Sequence, residues 1–95
     1  MRPDQPNGKQ DCVNDAMTLA LMALGWTLAE ESRADRLLAL TGIDVETLRA
    51  GVGDPAIMAA ILAFLANHEP DLIACAQAID TTPAALIAAQ EILSR

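Results

Sequence analysis

Three prolines in the second half of the chain each follow a polar residue and precede an apolar run, in the pairs Asp54-Pro55, Glu69-Pro70 and Thr82-Pro83. Proline fits the first turn of a helix, where its missing N–H would have no partner, and it pushes the preceding residue out of the helical region. Each pair therefore predicts the start of a helix. Residues 54–95 are expected to form three short helices in succession.

In the first half of the chain, a glycine and an aspartate mark a predicted helix end and a predicted helix start. Gly42 is placed to end a helix in the left-handed region at no steric cost, with Ile43 folded back on Leu38 in a Schellman-type turn. Asp44 is placed to cap the helix that follows. The predicted helices run from Val13 or Asp15 to Ala29, behind a cap at Asp11 or Asn14, then from Ser32 to Thr41 and from Val45 to Ala50.

The composition agrees with helices throughout. The 95 residues include 19 Ala and 13 Leu but two aromatics, Trp26 and Phe64, and an Ala- and Leu-rich chain with few β-branched residues favours helix. A chain of this length forms one small domain. We therefore predict an all-α fold, a compact orthogonal bundle of five or six helices over residues 13–95, behind a disordered leader at residues 1–12.

The chain also resembles itself at an offset of 36 residues. Residues 20–23 (Ala-Leu-Met-Ala) align with residues 56–59 (Ala-Ile-Met-Ala), and Ile43-Asp44 aligns with Ile79-Asp80. Two similar three-helix units would explain this, and so would any two amphipathic helices in an Ala- and Leu-rich background. The sequence leaves both explanations open.

Helix one is apolar on two opposite sides. Its first stripe consists of Met17, Leu21, Leu24 and Leu28, and a second stripe about 180° away consists of Leu19, Met22 and Trp26. If helix one is not central in the bundle, the second stripe is left for another chain, since Trp and Met are favoured interface anchors. Helix six offers another candidate surface. The candidate interface residues are Leu19, Met22, Trp26, Ile87 and Ile92.

The first stripe is assigned to an aliphatic core that all six helices share. The residues predicted for this core are Met17, Leu21, Leu24, Leu28, Leu37, Leu40, Ile43, Leu48, Ile57, Ile61, Phe64, Leu65, Ile73, Ile79, Leu86 and Leu93.

Charge limits the partners. Thirteen acids against six bases give a formal charge of −7, and the folded part presents Arg33, Arg36 and Arg49 as its arginines before the terminus. Binding to nucleic acid or to an anionic membrane requires a basic stripe. We therefore expect neither nucleic acid nor membrane as a partner, and instead an unidentified protein or a second copy of this chain.

Hydropathy and cysteine usage indicate a compartment. The longest uncharged run, the fourteen residues from Ala16 to Ala29, is too short for a transmembrane helix. The N-terminal residues lack the apolar segment of a signal peptide. Cys12 and Cys75 stand alone, outside any CxxC spacing. We therefore expect a cytoplasmic protein with reduced thiols.

No group of residues predicts an enzyme. His68, the one histidine, stands seven residues from Cys75, which is no recognised spacing for a metal site or a catalytic pair. We expect His68 to cap carbonyls near the end of helix four or to be solvated, and we expect no catalytic, metal or cofactor site. Seven acids fall at or near predicted helix N-termini, where negative charge offsets the helix dipole. They are Glu30, Glu31, Asp44, Glu46, Asp54, Glu69 and Asp71.

A non-enzymatic protein–protein interaction or assembly module is the function that we expect. The alternative is a divergent helix-turn-helix transcriptional regulator, because residues 37–48 and 75–83 each combine an apolar helix, a tight turn and a polar cap. A recognition helix also needs several basic or amide side chains, and helix three offers Arg49 alone.

Residues 36–49 (RLLALTGIDVETLR) and 54–72 (DPAIMAAILAFLANHEPDL) resemble a bacterial family of small proteins, the domain of unknown function 3572. The shared features are a Thr-Gly turn before a Leu-Arg pair, an acid-proline helix start, a Leu-rich helix and a Glu before an apolar helix. Where the family pattern has aromatics near the end of helix two, this chain has Leu37 and Leu38. The resemblance spans about residues 14–93 and implies a fold of this helical kind, and it brings no activity or ligand with it.

Overall fold

The computed structural model describes residues 8–95, which form six α-helices and, within that range, no strand. This confirms the predicted all-α bundle and settles the number of helices in the described chain at six. The helices are α1 (Gly8–Leu28), α2 (Glu31–Thr41), α3 (Val45–Ala50), α4 (Pro55–Ala66), α5 (Glu69–Ala78) and α6 (Pro83–Leu93).

The helix starts in the second half lie where the prolines predict them. Asp54 caps α4, with its carboxylate accepting the Ala56 N–H at 2.9 Å. Thr82 caps α6, and its hydroxyl oxygen accepts the Ala85 N–H at 3.1 Å. α5 begins at Glu69, one residue before its proline. All seven acids assigned to helix starts stand at an N-cap or in a first turn.

The turn after α2 differs in detail from the prediction. Gly42 takes the left-handed conformation with φ 73°, as expected, and its N–H donates to the Leu38 carbonyl. The Ile43 N–H, however, donates to the hydroxyl oxygen of Thr41 at 3.2 Å. The helix therefore ends in the simpler left-handed motif and not in a Schellman turn, because a threonine hydroxyl takes the second hydrogen bond.

α1 begins earlier than the sequence indicates. Its first residue is Gly8, not Val13 or Asp15. Proline is absent between Gly8 and Leu28, so nothing in the local sequence stops the helix from extending beyond the caps expected at Asp11 or Asn14. Residues 8–12 of the expected leader thus belong to this helix, and residues 1–7 lie outside the described residues.

α4 forms the centre of the core, and α1 and α6 pack against it and against each other. Four large side chains of α4 are almost fully buried: Met58, Ile61, Leu62 and Leu65. α1 contributes mainly small residues to this core. Ala16, Ala20, Ala23 and Thr27 line its buried face at spacings of four, three and four, and the Thr27 hydroxyl donates to the Ala23 carbonyl at 2.8 Å.

The predicted core is correct for most of its members and wrong for four. Those four are exposed to solvent: Leu21, Leu28, Leu40 and Ile73. α1 rests on its alanine face, because small side chains allow the helices to approach closely. Leu21 and Leu28 consequently point away from the core. Leu40 is the most exposed of the four, at 72% of its surface, in the last turn of α2.

The two halves of the chain bend by similar angles, but residues aligned at the offset of 36 differ in their surroundings. The chain bends by 117° between α1 and α2 and by 113° between α4 and α5. Yet Met22 is exposed where its aligned partner Met58 is fully buried. Asp44 is an extended N-cap, whereas Asp80 lies in the left-handed region with φ 61°. The offset of 36 therefore does not relate structurally equivalent residues.

Membrane-spanning potential is low for each helix taken alone. Across residues 8–95 no single helix is both long enough and apolar enough to cross a bilayer, although α1–α2 and α4–α5 pass on length and composition when each pair is joined across its bend.

Candidate functional site

Leu28 of α1 lies beside two exposed valines at α3, and Leu21 is exposed two turns earlier on the same face of α1. Leu21 and Leu28 leave 50% and 43% of their surface in solvent, Val45 of α3 leaves 51%, and Val52 in the turn after α3 is also exposed. We call these four residues the α1–α3 surface. Three of them, together with the buried Leu24 and Leu48, line a shallow depression of about 240 Å³ whose walls are almost entirely apolar.

Gly25 lies on the same face of α1, four residues after Leu21 and three before Leu28. A glycine in a helix interior costs about 1 kcal/mol relative to alanine. A Cβ built on Gly25 would find no atom within 4 Å, and the residue has no positive φ, so nothing in the described chain requires glycine here. The small residue leaves a gap between two exposed leucines.

Arg49 stands at the rim of the depression. The other two arginines of the helical body are engaged elsewhere: Arg33 pairs with Glu30 at 3.0 Å, and Arg36 pairs with Asp71 across α2 and α5. Arg49 is exposed and forms no ion pair with another described residue. It gives the edge of the α1–α3 surface a positive charge on a protein that is otherwise acidic.

The sequence-predicted interface residues differ in their burial. Leu19, Trp26 and Ile92 are partly buried and pack against the core, whereas Met22 and Ile87 are exposed on α1 and α6. The role of these five residues as an interface stays a prediction.

Trp26 is covered by its own chain. The Cζ of Arg33 lies 3.7 Å from the centroid of the indole, and an Arg33 nitrogen donates to the Trp26 carbonyl at 2.7 Å. A second nitrogen donates to the Glu30 carboxylate. Arg33 thereby closes the bend between α1 and α2 over the indole face.

The cysteines and the histidine form no reactive group. Cys75 is fully buried, and this burial raises the pKa of its thiol from 9.0 to about 11, against the smaller lowering effect of the nearby Arg33. A catalytic cysteine needs an accessible thiolate. His68 is the N-cap residue of α5 and is exposed, with Nε2 at 3.8 Å from the Asp71 carboxylate. Its expected solvation is confirmed, and the capping role at α4 is not seen.

A sequence comparison places this helical chain in a family. The family described as "Protein of unknown function (DUF3572)" matches residues 13–95. The chain belongs to the DUF3572 family. The match spans all six helices except the first turns of α1, and it includes every residue of the α1–α3 surface. Neither a curated protein nor a solved structure matches the chain.

This DUF3572 domain has a second concavity, a cleft of about 480 Å³ between α2 and α4. Ala60, Ala63 and Phe64 form its floor, and the exposed Leu40 forms one wall. Two of its polar side chains are engaged in part: Arg36 pairs with Asp71, and the Thr41 hydroxyl donates to the Leu37 carbonyl at 2.6 Å. The buried Nε of Arg36 has no hydrogen-bond partner among the described residues.

Metal-ligating residues are scattered in the DUF3572 domain. Among the residues whose side chains the structure describes, no three of the types His, Cys, Asp and Glu come close enough together to hold a metal ion.

The α1–α3 surface was missed from sequence because two of its residues were assigned to the core. The available signal was Gly25, a helix breaker placed between leucines at i−4 and i+3 in a helix that otherwise favours alanine. The sequence could not indicate that Val45 and Val52 belong to this surface, since exposed single valines are common.

Proposed function

We propose that this DUF3572 protein is a non-enzymatic protein–protein interaction module that binds its partner through the α1–α3 surface. One observation carries the proposal: three exposed apolar side chains, from α1, from α3 and from the turn after α3, line a single depression, and Leu21 is exposed two turns before Leu28 on the same face of α1. Contiguous exposed apolar surface on a small domain marks interaction sites.

The energetics favour burial of this surface. Covering a half-exposed Leu or Val contributes about 1 kcal/mol, at roughly 25 cal/mol per Å² of apolar area. The depression is also preformed, because its floor consists of Leu24 and Leu48, which are already fixed in the core. A partner side chain entering it therefore has little to reorganise, which favours binding.

The polar surroundings agree with a protein partner. Arg49 at the rim gives an oriented charge beside an apolar centre, as in most protein interfaces, where a polar rim encloses an apolar core. Glu30, Glu31, Asp54, Glu69 and Asp71 stand at helix starts, where their charge supports the local structure.

Site-specific photo-crosslinking in the native host tests this proposal. A photoreactive phenylalanine analogue replaces Leu28 on the α1–α3 surface. The matched control replaces Ile73, an exposed apolar residue of α5 that does not line the depression, and a third variant replaces Ile87 on α6, the other candidate surface predicted from the sequence.

The expected result is a discrete crosslinked protein species from position 28 and none from position 73. Absence of a discrete species from position 28, or the same species from positions 28 and 73, would contradict the proposal. A species from position 87 alone would move the interface to α6.

The helix-turn-helix alternative receives less support from the geometry. In residues 37–48 the recognition helix would be α3, but its six residues span about 9 Å and carry Glu46 beside Arg49. The Glu46 carboxylate in its first turn would face phosphate repulsion. In residues 75–83 the recognition helix would be α6, which carries no basic residue. A mobility-shift assay at low salt with pooled genomic DNA checks this alternative, and we expect no shifted complex.

A further inference from the structure

We propose that the cleft between α2 and α4 binds a small carboxylic acid with an apolar body. Arg36, Asn67 and His68 hold the carboxylate, and Leu40 and Phe64 contact the apolar body. The cleft shares no lining residue with the depression of the α1–α3 surface. This inference therefore goes beyond the proposed function and does not depend on it.

The cleft has the size of a small-molecule site. Its volume of about 480 Å³ lies within the range of about 300–1,000 Å³ that is usual for such pockets. Its floor consists of Ala60, Ala63 and Phe64, whose spacings of three and four residues place them on one face of α4. Phe64 is buried in the core, so this part of the floor is in place before a ligand binds.

Leu40 gives the cleft an exposed apolar wall. It leaves 72% of its surface in solvent, more than any other large apolar side chain that the structure describes. An apolar ligand body in the cleft removes part of this surface from water, which favours binding. The floor and the wall therefore favour a ligand that is apolar over most of its length.

The two basic side chains of the cleft stand at the same end of it. Oδ2 of Asp71 accepts a hydrogen bond from Nη2 of Arg36 and lies 3.8 Å from Nε2 of His68. Arg36 of α2 and His68, the N-cap residue of α5, are thereby neighbours. Asn67 precedes His68, directly after the last residue of α4. The cleft is thus apolar along α4 and polar where α4 ends.

This polar end offers hydrogen-bond donors. None of the described residues that line the cleft is acidic. A guanidinium carries five N–H donors, and the side chain of Arg36 donates to Asp71 through Nη2, while its buried Nε has no acceptor among the described residues. The Arg36 side chain is 40% exposed, so its guanidinium can be reached from solvent. Asn67 and His68 are exposed and add further donors.

A carboxylate is the ligand group that matches these donors. Its two oxygens accept hydrogen bonds in the bidentate geometry that a guanidinium presents. Asp71 does not line the cleft and engages one nitrogen of Arg36, so the remaining donors are left for a second carboxylate. Because Asp71 balances the charge of Arg36, hydrogen bonds contribute more than net charge to holding the ligand.

A titration of the isotope-labelled full chain with 3-phenylpropionate, followed by NMR, tests the site. We expect saturable shifts of the backbone signals of Ala63, Phe64 and Asn67, with a dissociation constant of about 1 mM or lower. The amide 3-phenylpropionamide keeps the shape without the charge, and acetate keeps the charge without the apolar body. Each should bind at least about tenfold more weakly.

Substitutions at the polar end and at the floor locate the bound acid. Arg36→Gln should weaken binding of 3-phenylpropionate at least about tenfold. Arg95→Gln removes the same charge from an exposed residue outside the cleft and leaves the dissociation constant unchanged. Ala63→Leu keeps every polar residue but fills the floor, so saturable binding should disappear. Ala84→Leu, at an exposed position of α6, is its control. Circular dichroism verifies the fold of each variant.

The outcomes decide the proposal without involving the α1–α3 surface. Saturable binding that is weakened by Arg36→Gln and lost in Ala63→Leu supports the site. Absence of saturable binding of 3-phenylpropionate up to about 10 mM overturns it, and so does binding that persists in Ala63→Leu. Equal affinity for the amide overturns recognition of a carboxylate. None of these results changes the crosslinking expected at Leu28, so the two proposals can fail separately.

Discussion

The guanidinium of Arg33 stacks on the indole of Trp26 at 3.7 Å and also donates to the carbonyl oxygen of that same residue. One side chain thus holds both the ring and the backbone of the last turn of α1. The pair fixes the bend between α1 and α2 and turns the largest side chain of the protein inward, away from the α1–α3 surface.

Replacing Arg33 by alanine should destabilise the fold and expose the indole. The stacking contact and the hydrogen bond of the charged group together contribute about 2 kcal/mol. Chemical denaturation should show that the free energy of unfolding falls by about this amount. The tryptophan emission of the native protein should shift to the red. Arg33→Lys keeps the charge but not the planar guanidinium, so its free energy of unfolding should lie between those of the parent protein and Arg33→Ala. Equal stability of all three proteins would contradict this account.

Gly25→Ala should stabilise the fold. A Cβ at this position would meet no atom of the described chain within 4 Å, and alanine favours helix by about 1 kcal/mol over glycine. Chemical denaturation should therefore show a higher unfolding midpoint for the variant than for the parent protein. A lower midpoint would contradict this account.

Gly51→Ala should destabilise the end of α3. A Cβ at this position would lie 2.7 Å from Cγ1 and 3.2 Å from Cβ of Ile57, and 3.1 Å from the Thr47 carbonyl oxygen. Relief of such overlap costs about 1–3 kcal/mol. Gly53→Ala is the matched control, because its Cβ would find open space. Thermal melts of the two variants should separate clearly, with Gly53→Ala at or slightly above the parent protein.

Asp44 should stabilise α3 in a pH-dependent way. Its carboxylate accepts the Thr47 N–H at 2.7 Å, and this hydrogen bond lowers the pKa of Asp44 below its ordinary value. A lowered pKa in the folded state means that the stabilisation is present near neutral pH and disappears below about pH 4, as the carboxylate is protonated. Asp44→Asn keeps the cap oxygen without the charge. The stability difference between parent and variant should shrink on acidification, and an unchanged difference from pH 7 to the acid limit would contradict the assignment.

The two cysteines should react with alkylating reagents at very different rates. Cys12 is exposed, whereas Cys75 is buried with its pKa raised to about 11, so its thiol stays protonated at pH 8. Iodoacetamide should modify Cys12 first and reach Cys75 only when the protein unfolds. Mass spectrometry of timed samples measures both rates. Modification of Cys75 as fast as Cys12 would show that the thiol is not held in the core.

The boundaries of α2 to α6 were predictable because they depend on local chemistry. Asp54 and Thr82 cap their helices with their own oxygens, and the prolines behind them fix the first turn whatever surrounds it. Gly42 takes a conformation that other residues adopt only with strain. These interactions involve residues within four or five positions of one another, so they can be recognised from the sequence alone.

The orientation of α1 was not predictable in the same way. Its sequence shows two stripes of large apolar residues, yet the buried face consists mainly of Ala16, Ala20, Ala23 and Thr27, and Leu24 is the one stripe residue that is fully part of the core. How closely α4 and α6 approach decides which face is buried, and this distance is a property of the whole bundle. A search for hydrophobic periodicity predicts that the face with large apolar side chains is buried. In this bundle, close packing of the helices instead buries the face with small side chains.

If the α1–α3 surface binds a partner as proposed, the alanine face of α1 separates folding from recognition. Because alanines hold this helix to the bundle, the leucines on its outer side can be exchanged without disturbing the core. Mutations that retune partner choice therefore need not lower stability, and the two faces of one helix can evolve independently.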